Sequence, residues 1–220
     1  MSSLVQRVKR HGVRNTLHYL FMRTLALLGE FKILRGVWVQ TPNPEFLKVP
    51  EPYAAEFLIP AADADADLPE RFLREAAVRG DACYGIRHGD VLAAYGWYAR
   101  GPTPVSDELT LHFSRDYVYM YKGFTDPHHR GHRLHAIGMT RALAHYRNLG
   151  YRGIVSYVES TNFDSLKSCF RMGYTVFGSV YMVKIFGRWL AFSSPGCWRF
   201  GFRVVARGYR LKSGLLPDPR

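Results

Sequence analysis

Gly123-Phe124-Thr125-Asp126-Pro127-His128-His129-Arg130-Gly131-His132-Arg133-Leu134 is the stretch on which the reading of this chain turns. The residues leading into it, Tyr117–Thr125, include Tyr117, Val118, Tyr119, Met120, Tyr121 and Phe124, a composition that suits a half-buried strand. Pro127 follows the strand, and a helix is predicted over Gly131–Leu149, ended by Gly150. A strand that gives way to a basic, glycine-containing turn and then a helix outlines an anion site. First-turn N–H groups lack intrahelical partners, the helix dipole adds partial positive charge, and a diphosphate can rest on those amides. Gly131 permits close backbone approach, while His128, Arg130, His132 and Arg133 add charge around the turn. A basic turn at a helix start can equally be plain solvent-facing surface.

Downstream, Arg152–Val158 reads as a strand, Asn162–Met172 as a helix stopped by Gly173, and Tyr174–Phe186 as a returning strand. Upstream lie a strand at Phe31–Gln40, a proline-rich segment over 41–67 enclosing a short strand Ala55–Ile59, and a helix at Pro69–Val78. A hairpin of Ala82–Arg87 and Val91–Arg100 turns at His88-Gly89-Asp90, and Glu108–Phe113 is a weaker strand. This order implies an α/β (α+β) fold, with a mixed, partly parallel central sheet flanked by helices.

The second informative segment is Asn162-Phe163-Asp164-Ser165-Leu166-Lys167-Ser168-Cys169-Phe170-Arg171-Met172-Gly173-Tyr174, which follows a strand ending near Glu159. Together the two segments resemble the signatures of the GNAT (GCN5-related N-acetyltransferase) superfamily. The first resembles its acyl-CoA pyrophosphate loop, Q/R-x-x-G-x-G/A, and the second its asparagine-led helix ending in Gly-Phe or Gly-Tyr. The resemblance covers about residues 82–186. Two positions depart from the pattern: His128 stands at the Q/R position and Arg133 where Gly or Ala is usual. Many members also carry a tyrosine at the eighth position of the helix segment, where it protonates the leaving thiolate; here that position is Cys169. A thiol can donate a proton, and it can equally be a small buried hydrophobe.

The resemblance implies an enzyme that transfers an acetyl or other acyl group from acetyl-CoA, or another acyl-CoA, to an amine by direct attack on the thioester. The pantetheine arm would pair with the backbone of Gly123, Phe124 and Thr125. The pyrophosphate would contact Arg130, Gly131, His132, Arg133 and Leu134, with His128 beside them, and Asn162 would face the cofactor arm. A backbone N–H near Phe124 would polarise the carbonyl. Candidate bases are Glu159, favoured by its place at a strand end, and Glu108, His112 and Asp116. Tyr119 and Tyr121 alternate onto one strand face, where they would either line the acceptor pocket or pack in the core. The acceptor would be a small molecule or a cell-envelope precursor carrying an amine, the envelope suggestion resting only on the basic N-terminal helix and the aromatic-rich C-terminal segment.

The bulk composition is compatible with this reading. The chain has 220 residues, 47% of them hydrophobic, enough for one core with appendages. Its net charge of +12 sits at the ends: residues 1–29 hold five Lys/Arg and no acid, and residues 165–220 hold ten Lys/Arg and one acid. Such asymmetry points to an anionic partner, or simply to solubility. Three cysteines at irregular spacing, with no CxxC, give neither a disulfide framework nor a zinc site, and no metal is expected. A reducing, cytoplasmic location fits, with peripheral attachment to the inner face of a membrane left open.

The chain divides at this level into residues 1–30, an amphipathic basic helix; 31–186, the acyltransferase-like domain; and 187–220, a C-terminal extension packed on it with a loose tail at Ser213–Arg220. In the first segment, predicted as one helix over 4–29, Val13, Leu17, Leu20, Phe21, Leu25 and Leu28 recur at helical spacing among Arg7, Lys9, Arg10, Arg14 and Arg23. Its apolar stripe suits packing on its own domain, a homodimer contact or an anionic membrane surface. In the last segment, Trp198, Phe200 and Phe202 fall at period two, as an extra strand pair would place them, with Arg188, Arg199, Arg203 and Arg207 and Tyr209 nearby. Nucleic acid is disfavoured, since no helix-turn-helix, zinc finger or RNP signature is present. Two other readings retain the fold: a CoA- or substrate-binding module without turnover, and a peptidyltransferase-like protein that uses aminoacyl-tRNA.

Overall fold

Gly12, at φ 82°, breaks the predicted N-terminal helix into α1 (Ser3–His11) and α2 (Val13–Leu25). Then come β1 (Glu30–Val39), β2 (Tyr53–Leu58), α3 (Glu70–Arg79), β3 (Ala82–His88), β4 (Val91–Ala99), β5 (Thr103–Pro104), β6 (Leu109–His112) and β7 (Tyr117–Thr125). The chain continues through α4 (Leu134–Asn148), β8 (Gly153–Glu159), α5 (Phe163–Arg171), β9 (Thr175–Ile185), β10 (Arg188–Ser193), α6 (Pro195–Trp198) and β11 (Arg203–Ala206). The computed structural model describes residues 3–58 and 68–206. The Ala61–Asp67 run, Arg207, Tyr209 and the Ser213–Arg220 tail lie outside the described residues.

Eight strands form one sheet in the order β10-β9-β1-β8-β7-β4-β3-β2, and β5, β6 and β11 form a smaller one. Every neighbouring pair in the large sheet is antiparallel except β7 and β8, which run parallel. The fold is therefore mixed α/β with a partly parallel sheet. A single parallel pair follows from the connection: β7 returns to β8 through α4, a crossover that antiparallel hairpins do not need. β1 lies between β8 and β9 and pairs with both. Its central place explains its apolar content, since Leu34, Val37 and Val39 are all buried.

α4 and α5 cover one face of the sheet, over a core that includes Val37, Ile86, Val118, Leu143 and Ile154. The other face is shared. α3 packs there over Cys83, Tyr95 and Trp97, while β6, β11 and the 195–202 segment pack over Tyr117, Tyr119 and Val155.

The C-terminal segment departs from the predicted strand pair. β10 does pair with β9, but Pro195 opens a helical turn rather than a strand, in the first-turn position where its missing N–H costs nothing. Trp198 is consequently 72% exposed, while Phe200 and Phe202 turn into the core. The N-terminal apolar stripe is not used to pack on the domain either. Thr16 and Met22 are the buried residues of α2, and Val13, Leu17 and Phe21 face outward. No helix among the described residues is long and apolar enough to cross a membrane.

Candidate active site

β7 and β8 start as a ladder and then separate. Their register runs Tyr117↔Gly153, Val118↔Ile154 and Tyr119↔Val155. One residue further on, Ser156 donates its hydroxyl to the Met120 carbonyl at 2.8 Å, a side chain in place of a backbone bond. On its other edge β7 carries a bulge. Between the pairs Tyr95↔Phe124 and Trp97↔Tyr121, β4 supplies Gly96 alone, whereas β7 supplies Lys122 and Gly123. Lys122 adopts the left-handed conformation at φ 50°. A bulged strand bends locally, and here the bend coincides with the loss of pairing to β8.

α4 is fixed against that bend. A Cβ on Gly123 would overlap the imidazole of His135, the second residue of the helix, so strand backbone and helix start touch there. Burial holds the His135 pKa below its ordinary value, which keeps the ring neutral near pH 7. The helix begins three residues later than predicted. Gly131 at φ 91° and Arg133 at φ 58° are both left-handed, and the first intrahelical bond runs from Ile137 N–H to the Arg133 carbonyl at 3.1 Å. Arg133 supplies no side-chain cap. The first-turn amides are those of Leu134, His135 and Ala136, all residues that line an open cavity of about 680 Å³.

Thr125, Arg130, Gly131 and Arg133 form one wall of this cavity, Glu45 and Phe46 a second, and Ser168 and Arg171 of α5 with its C-cap Met172 the third. Three arginines thus face one carboxylate. Arg130 Nε reaches the Thr125 carbonyl at 3.4 Å, and the Arg133 guanidinium lies 6.0 Å from the Phe46 ring centre. Guanidinium groups with open helix-start amides fit a diphosphate, the group an acyl-CoA would present. Arg171 escaped the sequence reading, though Ser168, Arg171 and Met172 share a face by helical spacing. Phe46 had no local signal.

Other expected contacts fall elsewhere. His128 is exposed, its amide donating to Asp126 Oδ1 at 2.7 Å, and its side chain does not line the cavity. His132 also lies outside the lining, with Nδ1 3.2 Å from the His129 carbonyl. His129 anchors the turn to β2 by a 3.1 Å hydrogen bond between its Nδ1 and the Tyr53 hydroxyl. The Phe124 ring stacks on Tyr95 with ring centres 5.4 Å apart, a packing role for the side chain that leaves the expected backbone contact unaffected. Asn162 caps α5, accepting from Ser165 N–H at 3.1 Å, so its carbonyl oxygen is already engaged.

Tyr119, Tyr121 and Tyr157 form a stack on the sheet face opposite α4 and α5. Tyr119 is buried at its centre, which makes it core; Tyr121 and Tyr157 are only half-buried. The Tyr121 hydroxyl donates to Asp81 Oδ2 at 2.6 Å, and Asp81 is paired with Arg79 at 2.8 Å. Burial, then the nearby Glu159 charge, raises the Tyr157 pKa. Glu159 is exposed at the last position of β8, the end at which β7 and β8 have separated. Tyr157 and Asp81 join Tyr119 and Tyr121 here, although the sequence reading did not single them out. Tyr157 is two residues before Glu159, a strand spacing that places both on one side.

The remaining candidates are engaged elsewhere. Glu108 accepts from Lys184 Nζ at 3.0 Å and Trp189 Nε1 at 2.8 Å, contacts that hold its pKa down. His112 belongs to the small sheet, and burial followed by the Arg203 charge lowers its pKa. Asp116 precedes Tyr117, at the paired end of β7, and faces Arg152 at 3.7 Å. Cys169 packs against the core, and burial pushes its thiol up to about 11. A thiol so placed stays protonated at neutral pH, and it is absent from the cavity lining.

No family model and no curated protein matches the chain. Solved structures do. A GCN5-related N-acetyltransferase from Sphaerobacter thermophilus matches at TM-score 0.53 and 12% identity, over 79% of this chain and 56% of that one. A tandem GNAT protein from the clavulanic acid biosynthesis pathway matches at TM-score 0.49 and 14% identity, over 80% and 58%. An acetyltransferase of the GNAT family from Colwellia psychrerythraea matches at TM-score 0.45 and 17% identity, over 79% and 61%. The chain thus spans under two thirds of the length of these proteins. Together with the parallel β7/β8 pair, its separation and the loop into α4, the likeness shows that this chain has the fold of the GNAT superfamily.

Proposed function

We propose that the chain is an acyl-CoA-dependent N-acyltransferase, with acetyl-CoA as the simplest donor and a small-molecule or envelope-precursor amine as acceptor. The observation that carries this reading is the cavity of Arg130, Arg133 and Arg171 at the amides of α4, set beside the end of β7 that β8 leaves unpaired. In this reading the arginines and amides hold the diphosphate, and the unpaired backbone of β7 receives the pantetheine arm. The exposed carboxylate of Glu159 takes the proton that the amine loses as its nitrogen bonds to the carbonyl carbon and the C–S bond breaks. A backbone N–H near Phe124 supports the oxygen as charge develops on it. Tyr121 and Tyr157 border the acceptor. The core position of Cys169 leaves the tyrosine-like acid role to another group or to water.

The test is thermal unfolding with and without acetyl-CoA, on the native chain and on Gly131→Asp. A ligand selective for the folded state raises the midpoint by mass action. A rise in the native chain that is lost in the variant is expected, followed by acyl transfer to members of an amine panel. An equal rise in both proteins would overturn the placement of the donor. Binding without transfer to any amine would favour a CoA-binding module without turnover.

A further inference from the structure

α5 separates two basic cavities. The face carrying Ser168, Arg171 and Met172 borders the one described above; the face carrying Phe163, Leu166, Lys167 and Phe170 borders another, of about 720 Å³, between α5 and the α1–α2 pair. Arg10, His11, Arg14 and His18 reach this second cavity from the N-terminal helices, Arg35 from β1 and Lys167 from α5. Among the described residues, no carboxylate lines it. Asp164, which follows the lining residue Phe163, is paired with Arg10 at 2.6 Å. Among the described residues, Arg14, Arg35 and Lys167 have no carboxylate partner.

Two of the groups are held in place from below. Arg35 donates from Nη1 to the Ser179 hydroxyl at 2.8 Å, and His18 Nε2 lies 2.9 Å from the Ser160 hydroxyl. Both serines are buried, so these bonds fix the cavity floor. Neutral hydroxyls orient a guanidinium without cancelling its charge, which leaves the floor positive. Phe163, Phe170 and Val176 make the remaining wall apolar, and Phe170 and Val176 are about half exposed. A concave site of this size with converging cations and an apolar wall suits an anion that carries an apolar or aromatic group. Guanidinium groups favour phosphate oxygens in particular.

We propose that this cavity is a binding site for a phosphate ester bearing an apolar or aromatic substituent, separate from the diphosphate site on the other side of α5. The proposal does not rest on the acyltransferase reading. The ester could be a free metabolite or a lipid phosphate at a membrane, and the outward-facing Val13, Leu17 and Phe21 of α2 make the second source worth an arm of its own.

The experiment uses the full chain with two probes: phenyl phosphate by titration calorimetry, and phosphatidylcholine vesicles with and without phosphatidic acid by co-sedimentation. The variant is Arg14→Glu/Lys167→Glu, with Arg14→Gln/Lys167→Gln as a milder companion should the first fail to fold. Phenyl phosphate binding that weakens at least about tenfold in the variant and persists in Gly131→Asp is expected. Vesicle binding that needs phosphatidic acid and is lost in the variant would assign the lipid source; phenyl phosphate binding with no such vesicle dependence would assign the free one. Absence of binding to either probe, binding unchanged in both variants, or phenyl phosphate binding lost in Gly131→Asp would overturn the proposal. Retention of the acetyl-CoA thermal shift by the Arg14/Lys167 variants keeps this outcome distinct from failure of the acyltransferase reading.

Discussion

Replacing Arg133 by glycine should separate what this residue does for the fold from what it does for the ligand. Arg133 is left-handed at φ 58°, ψ 20°, at the N-cap of α4, with its guanidinium over Phe46 and its side chain lining the arginine cavity. A left-handed L-residue costs roughly 1–2 kcal/mol, which glycine avoids. Against that stand about 0.5–1 kcal/mol of extra backbone entropy for glycine and about 0.5 kcal/mol of cation–π contact. The net lies within ~1 kcal/mol, so the unliganded melting temperature should move by no more than about 2–4 °C in either direction. The ligand effect is larger. One charge-assisted contact to a diphosphate is worth roughly 1.5–3 kcal/mol, or about a ten- to hundredfold weaker Kd. At acetyl-CoA near ~100 times the native Kd, stabilisation of about 2.7 kcal/mol should drop to about 1.4 kcal/mol or less. Scanning fluorimetry with and without ligand would show the thermal shift at least roughly halved, with little change in its absence. A large loss of stability without ligand, together with an undiminished acetyl-CoA shift, would refute the assignment of Arg133 to the diphosphate.

Three other perturbations probe separate parts of the argument. Glu159→Gln should retain the acetyl-CoA thermal shift but lose acyl transfer by about a hundredfold or more; undiminished transfer would remove Glu159 from the base role. Asn162→Ala removes the cap bond to Ser165 N–H and should cost about 1 kcal/mol in chemical denaturation while leaving acetyl-CoA affinity within about twofold; a large affinity loss would mean that Asn162 contacts the ligand directly. Burial depresses the pKa values of His18, His112 and His135 in the folded chain, so below the ordinary histidine value near ~6.5 the unfolded chain binds more protons. Stability should be full above that value and fall as pH drops towards the folded pKa values; urea midpoints that stay level or rise between about pH 7.5 and about pH 5.5 would contradict this.

Much of the scaffold was legible in the sequence because local patterns dictate it. Tyr117–Thr125 reads as a strand and is one, the hairpin turning at Gly89 folds as its punctuation predicts, and Asn162 opens a helix closed before Gly173. The errors have local physical causes. Gly12 and the pair Gly131 and Arg133 adopt left-handed backbone that interrupts or delays a helix which apolar periodicity alone would continue. In the 195–202 segment the period-two aromatics were real, but Pro195 started a helical turn that sent Trp198 to solvent.

The site was legible in its backbone and much less so in its side chains. The sequence by itself determined that a strand feeds a glycine-bearing basic loop into a helix, because strand composition, proline punctuation and helix periodicity are properties of neighbouring residues. Only the tertiary structure decided which side chains converge on that loop. Arg171 and Phe46 come from elements remote in sequence, β1 enters between β8 and β9 from the far end of the chain, and Cys169 and Tyr119 turn into the core. The same holds for the second cavity, which exists because α1 and α2 dock beside α5 and bring Arg10, Arg14 and His18 towards Arg35 and Lys167. Local propensity sets the direction of a chain over a few residues, whereas convergence of charge depends on how sheets and helices bury their apolar faces, and that is settled by packing between distant segments.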